Sequence, residues 1–163
     1  MTAADWIAHL QLDVHPEGGY FRRSYTAEGW LILPDRAGPR PVATAIYYLL
    51  KSGQRSRLHR LQSDELWHFY TGAPLTLHVL DPQGAPATEH HLGSDPAAGQ
   101  RFQQAVRAGC WFGATVDAAD PAAFSLMGCT VAPGFDFADF ELADRATLTR
   151  QYPHHAALIE RLT

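Results

Sequence analysis

The most informative part of the sequence is GQRSRLHRLQSDELWHFYTG, residues 53–72. A glycine stands at each end, five residues separate Gly53 from His59, and six separate Glu65 from Gly72. Glycine adopts backbone conformations that other residues avoid, so the two glycines are suited to turns at the ends of a strand pair. The stretch therefore predicts two neighbouring strands with a histidine on the first and a glutamate on the second.

Strand geometry brings the chemically active side chains of this stretch together. Side chains alternate between the two faces of a strand, so His59 and Leu61 share one face. Glu65 likewise shares a face of the next strand with Trp67 and Phe69. If both faces line the interior of a barrel, we expect His59 and Glu65 to project into one enclosed cavity, close enough to share a proton.

The rest of the chain shows many short strand-like runs with Gly or Pro between them, which is typical of a sandwich or barrel. The predicted strands are residues 42–50, 57–61, 65–71, 75–80, 88–92, 101–106, 110–116 and 124–131. A helix is predicted over 2–12 and a surface loop over 27–41. The last stretch, 145–163, is predicted helical with an interruption at Pro153. We expect one domain spanning residues 1–163.

Composition limits the class of protein. The chain has 163 residues, 46% hydrophobic and 18% charged, which is typical of a folded globular protein. The net charge of −4 includes no block of like charges, so neither nucleic acid nor a membrane is an expected partner. Two cysteines in apolar runs, Cys110 and Cys129, favour a reducing compartment. With no signal peptide expected and the longest apolar run too short to span a bilayer, we expect a cytoplasmic protein.

Residues 53–72 resemble the first cupin motif, in which a glycine is followed by His-x-His, a glutamate and a second glycine. Residues 107–112 resemble the second motif. At the positions where metal-binding cupins carry two further histidines, this chain has Leu61 and Phe112. Catalytic metal sites normally have at least three protein ligands, so no metal is expected. The alternative is a divalent metal at His59 and Glu65, completed by water or by Gln103 or Gln104.

Two longer stretches carry a more specific resemblance. HPEGGYF at 15–21 and GCTVAPGFDFADFELA at 128–143 resemble an uncharacterised cupin-like family. The resemblance implies an all-β jelly roll, a double-stranded β-helix, with a short N-terminal helix and a C-terminal helical tail. It also implies a homodimer, in which exposed sheet edges would be covered across a two-fold axis. It implies no particular reaction.

Three functions stay open at this point. Similarity to cupin epimerases acting on nucleotide-linked keto-sugars implies a metal-independent enzyme, with His59 as base, Glu65 as its orienter and Tyr48 or Tyr70 as acid. Its ligand would be a small polar molecule, sugar-like or anionic. The alternatives are a ligand-binding cupin without catalysis and a metal enzyme with a reduced ligand set.

Further residues are candidates for binding the ligand. Arg23 is suited to hold an anionic group, although a surface or interface salt bridge is an equal alternative. The other candidates are Ser56, Trp67, Gln104 and Phe112; aromatic residues on strands are more often part of a core. The stretch 134–141 is predicted to pack against the barrel or to form the edge of a pocket.

Overall fold

A computed structural model describes all residues, 1–163. The chain begins with helix α1 (Ala3–Leu10), whose first turn is closed by a capping box between Thr2 and Asp5. The hydroxyl of Thr2 accepts from the Asp5 N–H, and the Asp5 carboxylate accepts from the Thr2 N–H. The predicted helix and its cap are confirmed.

The strands form two packed antiparallel sheets and a small hairpin. One sheet has the order β1-β2-β5-β12-β7-β10 and the other β13-β6-β11-β8-β9, while β3 and β4 pair with each other. The strands are β1 (Asp13–Val14), β2 (Tyr20–Thr26), β3 (Trp30–Leu31), β4 (Arg40–Pro41), β5 (Thr44–Lys51), β6 (Arg55–Leu61), β7 (Asp64–Gly72), β8 (Leu75–Leu80), β9 (Thr88–Leu92), β10 (Gln103–Val106), β11 (Trp111–Val116), β12 (Phe124–Ala132) and β13 (Phe140–Leu142). The predicted all-β jelly roll is confirmed.

The core lies between the two sheets because each strand turns alternate side chains inward. In β7 the buried residues are Glu65, Trp67 and Phe69, in the predicted alternation. They face inner-side residues of the second sheet, including Leu75 and Leu77. Apolar burial of this kind is the main stabilising contribution to such a fold.

The C-terminal helices cover the outer face of the five-stranded sheet. They are α2 (Arg145–Gln151) and α3 (Ala156–Leu162), joined by a single turn at Pro153–His155. Leu148, Ile159 and Leu162 are fully buried against Leu58 and Leu80 of the sheet. The predicted interruption at Pro153 is confirmed. No helix in the structure combines the length and apolar character needed to cross a membrane.

The segment 27–41, predicted as a surface loop, contains the β3–β4 hairpin and a buried arginine. The Arg40 guanidinium donates two hydrogen bonds to the Asp139 carboxylate, each at 2.8 Å, and Arg36 adds a third at 2.7 Å. Arg40 and Asp139 are 2% and 7% exposed. These bonds, the Arg40 bonds above all, hold the pKa of Asp139 below its usual range. This ion cluster fastens the segment to Phe137–Asp139, the turn that precedes β13.

We predict that Asp139→Ala lowers the free energy of unfolding by roughly 3–5 kcal/mol, because two arginines then lose their buried counter-charge. The control is Glu141→Ala, which removes the exposed partner of Arg60 and should cost about 0–1 kcal/mol. Urea denaturation of both variants measures the difference. Equal losses in the two variants would contradict this role of the cluster.

Candidate functional site

A cavity lies between the two sheets at one end of the barrel. It contains about 480 Å³ of space free of protein atoms, its open mouth included, and nine of its fifteen lining residues are hydrophobic. The centre of a water molecule fits in only about 30 Å³ of this space, so the interior is narrow. Its polar groups come from both sheets and from the loop 15–19. A mostly apolar cavity with a few converging polar groups is typical of a small-molecule site.

The loop 15–19 enters the cavity because its glycines allow a close backbone approach. Gly18 has φ +112°, and a Cβ atom there would lie 2.2 Å from the carbonyl oxygen of Arg55. The Arg57 N–H donates to the Glu17 carbonyl at 2.8 Å, which fixes the loop alongside β6. As a result the Glu17 side chain, in a residue only 6% exposed, lies inside the barrel.

A β-bulge in β6 turns two further polar side chains inward. Phe112 pairs with His59 and Ala114 with Ser56, so β6 has one residue more than β11 between these pairs. Strict alternation would place Ser56 and His59 on opposite faces, but the bulge buries both. The Ser56 hydroxyl donates to Oε1 of Glu17 at 2.9 Å. Ser56, predicted to bind ligand, contacts Glu17 in the structure.

His59 lies against Glu17, and Glu65 is not its partner. Its Nδ1–H donates to the Arg57 carbonyl at 2.7 Å, and its Nε2 lies 3.2 Å from Oε2 of Glu17. Since the Nδ1 proton is committed to a carbonyl, Nε2 and Oε2 need one further proton between them to form a hydrogen bond. The expectation that Glu65 orients His59 is therefore wrong, because the loop 15–19 supplies a nearer carboxyl group.

Burial favours the uncharged form of both partners. It lowers the pKa of His59 to about 4 and raises the pKa of Glu17 above its ordinary value. At neutral pH the His59 ring is therefore neutral and its Nε2 can only accept. The 3.2 Å contact is a hydrogen bond when Glu17 carries a proton, which is the form that burial favours, and in that form the pair has no net charge.

Glu65 lines the cavity from the other sheet. The Trp67 indole N–H donates to its Oε2 at 2.8 Å, while no protein group bonds its Oε1. Burial first, and the nearby Glu17 second, raise the pKa of Glu65 to about 8. Glu65 is thus a protonated acid at neutral pH, with one oxygen free for a ligand.

Tyr48 also lines the cavity, but its hydroxyl is engaged. It donates to the Gly18 carbonyl at 2.8 Å and so helps to hold the loop 15–19. Burial raises the pKa of Tyr48 well above its ordinary value, which makes it a poor acid near neutral pH. Tyr70, the other predicted acid, is 51% exposed and packs on Tyr47 outside the cavity.

The structure separates the predicted binding residues into two groups. Arg23 and Trp67 line the cavity. The Phe112 ring packs behind His59, with ring centres 4.1 Å apart, and is not part of the lining. Gln104 lies on the edge strand β10, where its side chain donates to the Ala105 carbonyl, and it does not line the cavity.

Two functional candidates were missed in the sequence, Glu17 and His15. The Nδ1 atom of His15 accepts from the Glu17 N–H at 3.2 Å, and its ring contacts Phe21 edge-on, with centres 4.4 Å apart. The signal was present in the motif HPEGG, whose adjacent glycines indicate a close backbone approach. That signal predicts a tight loop but does not say which side chain the loop carries inward.

Comparison with known proteins identifies the family. The model of a family described as "Cupin superfamily (DUF985)" matches residues 4–143. The chain belongs to this cupin family. A protein from Shewanella oneidensis is 40% identical, with a TM-score of 0.90, over 100% of this chain and 98% of that one. A hypothetical protein from Leishmania major is 38% identical, with a TM-score of 0.92, over 100% and 99%.

More distant cupins share only the fold. Oxalate decarboxylase from Bacillus subtilis is 13% identical over 92% of this chain and 36% of its own, with a TM-score of 0.58. A structure of CapF with an inhibitor is 12% identical over 82% and 33%, with a TM-score of 0.57. No protein of curated function matches the sequence significantly.

The residues of this cupin do not fit the usual metal centre of the fold. The hydrophobic side chain of Leu61 lines the cavity at one ligand position, and the Phe112 ring contacts His59 at a tilted angle at another. Two imidazoles line the cavity, and both face Glu17: Nε2 of His59 lies 3.2 Å and Nδ1 of His15 lies 3.6 Å from its Oε2. No group of three or more His, Cys, Asp or Glu side chains is arranged to hold a metal ion.

We predict that Glu65→Gln makes the stability of this cupin less dependent on pH. The pKa of Glu65 is about 8 in the folded state against 4.5 ordinarily, so the folded state binds the proton more tightly. The free energy of unfolding therefore falls as pH rises from about 4.5 to 8, at most by about 1.4 kcal/mol per pKa unit.

Urea denaturation at pH 5 and pH 9 measures this loss. The loss should shrink by an amount on the order of a few kcal/mol in Glu65→Gln and stay unchanged in Glu28→Gln, which alters an exposed loop carboxylate. The same pH dependence in all three proteins would show that Glu65 ionises freely in the folded state.

Proposed function

We propose that this cupin binds a small polar molecule in its cavity and moves a proton to and from one of its carbon atoms, as an isomerase or epimerase does. The observation that carries the proposal is the placement of two acid–base groups on facing walls. Glu17 and His59 form one group beside β6, and Glu65 on β7 forms the other. Exchange of a proton at carbon requires a protein base that contacts the C–H group and a protein acid that hydrogen-bonds the oxygen of the neighbouring carbonyl.

The proposed reaction begins with a carbonyl compound between these walls. When the shared proton sits on His59, the Glu17 carboxylate takes a proton from the carbon next to the carbonyl. The electron pair of the broken C–H bond forms a C=C bond, and the carbonyl oxygen accepts the proton of Glu65. Return of a proton to carbon, with the enol proton going back to Glu65, completes the cycle without any external oxidant or reductant.

Each residue has a distinct role in this proposal. Glu17 is the base, His59 and Ser56 hold its carboxylate in place, and Glu65 is the acid. An acid works best when its pKa lies near the working pH, and Glu65, with a pKa of about 8, meets this condition better than Tyr48. Tyr48 fixes the loop that carries Glu17.

A non-catalytic binding protein is the second candidate. It is favoured by one observation, that both ring nitrogens of His59 already face protein groups. In that case the Glu17–His59 pair would only shape the cavity, and ligand binding would proceed without proton exchange at carbon.

The test starts from whatever small molecule co-purifies with the protein, identified by mass spectrometry. Incubated with wild-type protein in heavy water, its carbonyl form should gain one mass unit at carbon. Glu17→Gln should slow this gain by roughly 10²–10⁴-fold, because it removes the base. Gln104→Ala, which alters a side chain outside the cavity, should leave the rate unchanged.

Two results would count against proton transfer. If the molecule binds and wild-type protein adds no deuterium, the non-catalytic function is correct. If Glu17→Gln exchanges as fast as wild-type protein, Glu17 is not the base.

A further inference from the structure

Arg23 is the one permanent cation in the lining of the cavity. It lies on β2 in register with Ile46, which pairs with Cys129, which in turn pairs with Trp67. These four side chains form one row across the inner face of the six-stranded sheet, and all four line the cavity. Arg23 is exposed, so it marks the mouth of the cavity, and Trp67 marks its buried end.

The Arg23 guanidinium has no carboxylate within 4.0 Å. Its only hydrogen bond goes to the Phe135 carbonyl at 3.4 Å, and it lies 5.8 Å from the centre of the Phe135 ring. Most of its N–H donors are thus free, in the planar arrangement that binds a carboxylate with two hydrogen bonds. Its neighbour Arg22 differs, because Arg22 bonds Gln11 at the end of α1, away from the cavity.

A second polar group for the ligand lies deeper in the cavity. Glu65 is 7% exposed, and its Oε1 has no partner in the protein. Because Glu65 lines the open cavity and this oxygen bonds no protein group, a ligand oxygen can bond it without first breaking a hydrogen bond within the protein. Between Arg23 and Glu65 the wall is formed by Ile46, Cys129 and Val131, with Thr44 beside them, whose hydroxyl already accepts the Phe135 N–H.

The cavity therefore suits a ligand that is polar at two ends and apolar between them. A sugar, with hydroxyls along its whole length, would leave several of them unpaired against the apolar wall. An acid does not meet this difficulty, and burial limits repulsion from the interior, because it raises the pKa of Glu65 to about 8 and shifts the pKa of Glu17 in the same direction.

We propose that the ligand is a small unbranched oxo acid, whose carboxylate binds Arg23 at the mouth and whose carbonyl oxygen accepts a hydrogen bond from Glu65 inside. This inference names the substrate class of the site described under Proposed function and rests on that site. The carbon beside the ligand carbonyl then lies between Glu65 and Glu17, where a proton would be exchanged.

Isothermal titration calorimetry with unbranched oxo acids of three to six carbons, each matched with its uncharged primary amide, tests the proposal. At least one acid should bind with a Kd below about 10 mM and about tenfold or more tightly than its amide. Arg23→Gln should remove this preference by weakening only the acid. Arg22→Gln, an equal change of charge outside the cavity, should have no effect.

Three results would overturn the proposal: no acid binding below about 10 mM, equal binding of acid and amide, or equal losses in Arg22→Gln and Arg23→Gln. Its outcome is separable from that of proton transfer. If a ligand that binds independently of Arg23 exchanges deuterium, the oxo acid proposal is refuted and the proposed reaction stands. If binding depends on Arg23 but no deuterium is exchanged, the oxo acid proposal stands and the proposed reaction is refuted.

Discussion

The contact between Glu17 and His59 constrains the rest of the site. Two ionisable side chains, each at least 93% buried, lie 3.2 Å apart in a cavity with mainly apolar walls. Separate charges would be strongly disfavoured there, so the pair is stable only when one proton is shared and every remaining polar atom is bonded. The Arg57 carbonyl meets this need for His59, and the Ser56 hydroxyl meets it for Glu17.

Several features of the fold serve this contact. The glycines of the loop 15–19 let its backbone approach β6, the bulge in β6 turns Ser56 and His59 to the same side, and Tyr48 bonds the loop from β5. The buried ion cluster around Asp139 fixes the turn before β13, whose Phe140 packs on His59 with ring centres 5.4 Å apart. The Glu17–His59 pair is therefore held in place by contacts from several separate elements of the fold.

The sequence was sufficient for the fold and for part of the site. The alternation of inward- and outward-facing side chains in 65–71 and the Gly and Pro residues between strands are local sequence patterns. They were enough to predict the strands and the inward direction of Glu65, Trp67 and His59. The partner of His59 could not be predicted in this way, because Glu17 lies 42 positions earlier in the chain and reaches it through a loop and a bulge. The buried Arg40 in a segment rich in Gly and Pro was missed for the same reason, since Asp139 lies far away in sequence.

The protonation state of His59 tests the hydrogen bond to Glu17 most directly. It is measured from the ring ¹⁵N shifts of the nine histidines in a long-range ¹H–¹⁵N NMR spectrum between pH 4 and pH 9. We predict a neutral ring with its proton on Nδ1 throughout the range above about pH 5, because the pKa of His59 is about 4. A ring that titrates near the ordinary pKa of about 6.5, or that carries its proton on Nε2 when neutral, would contradict a proton shared with Glu17.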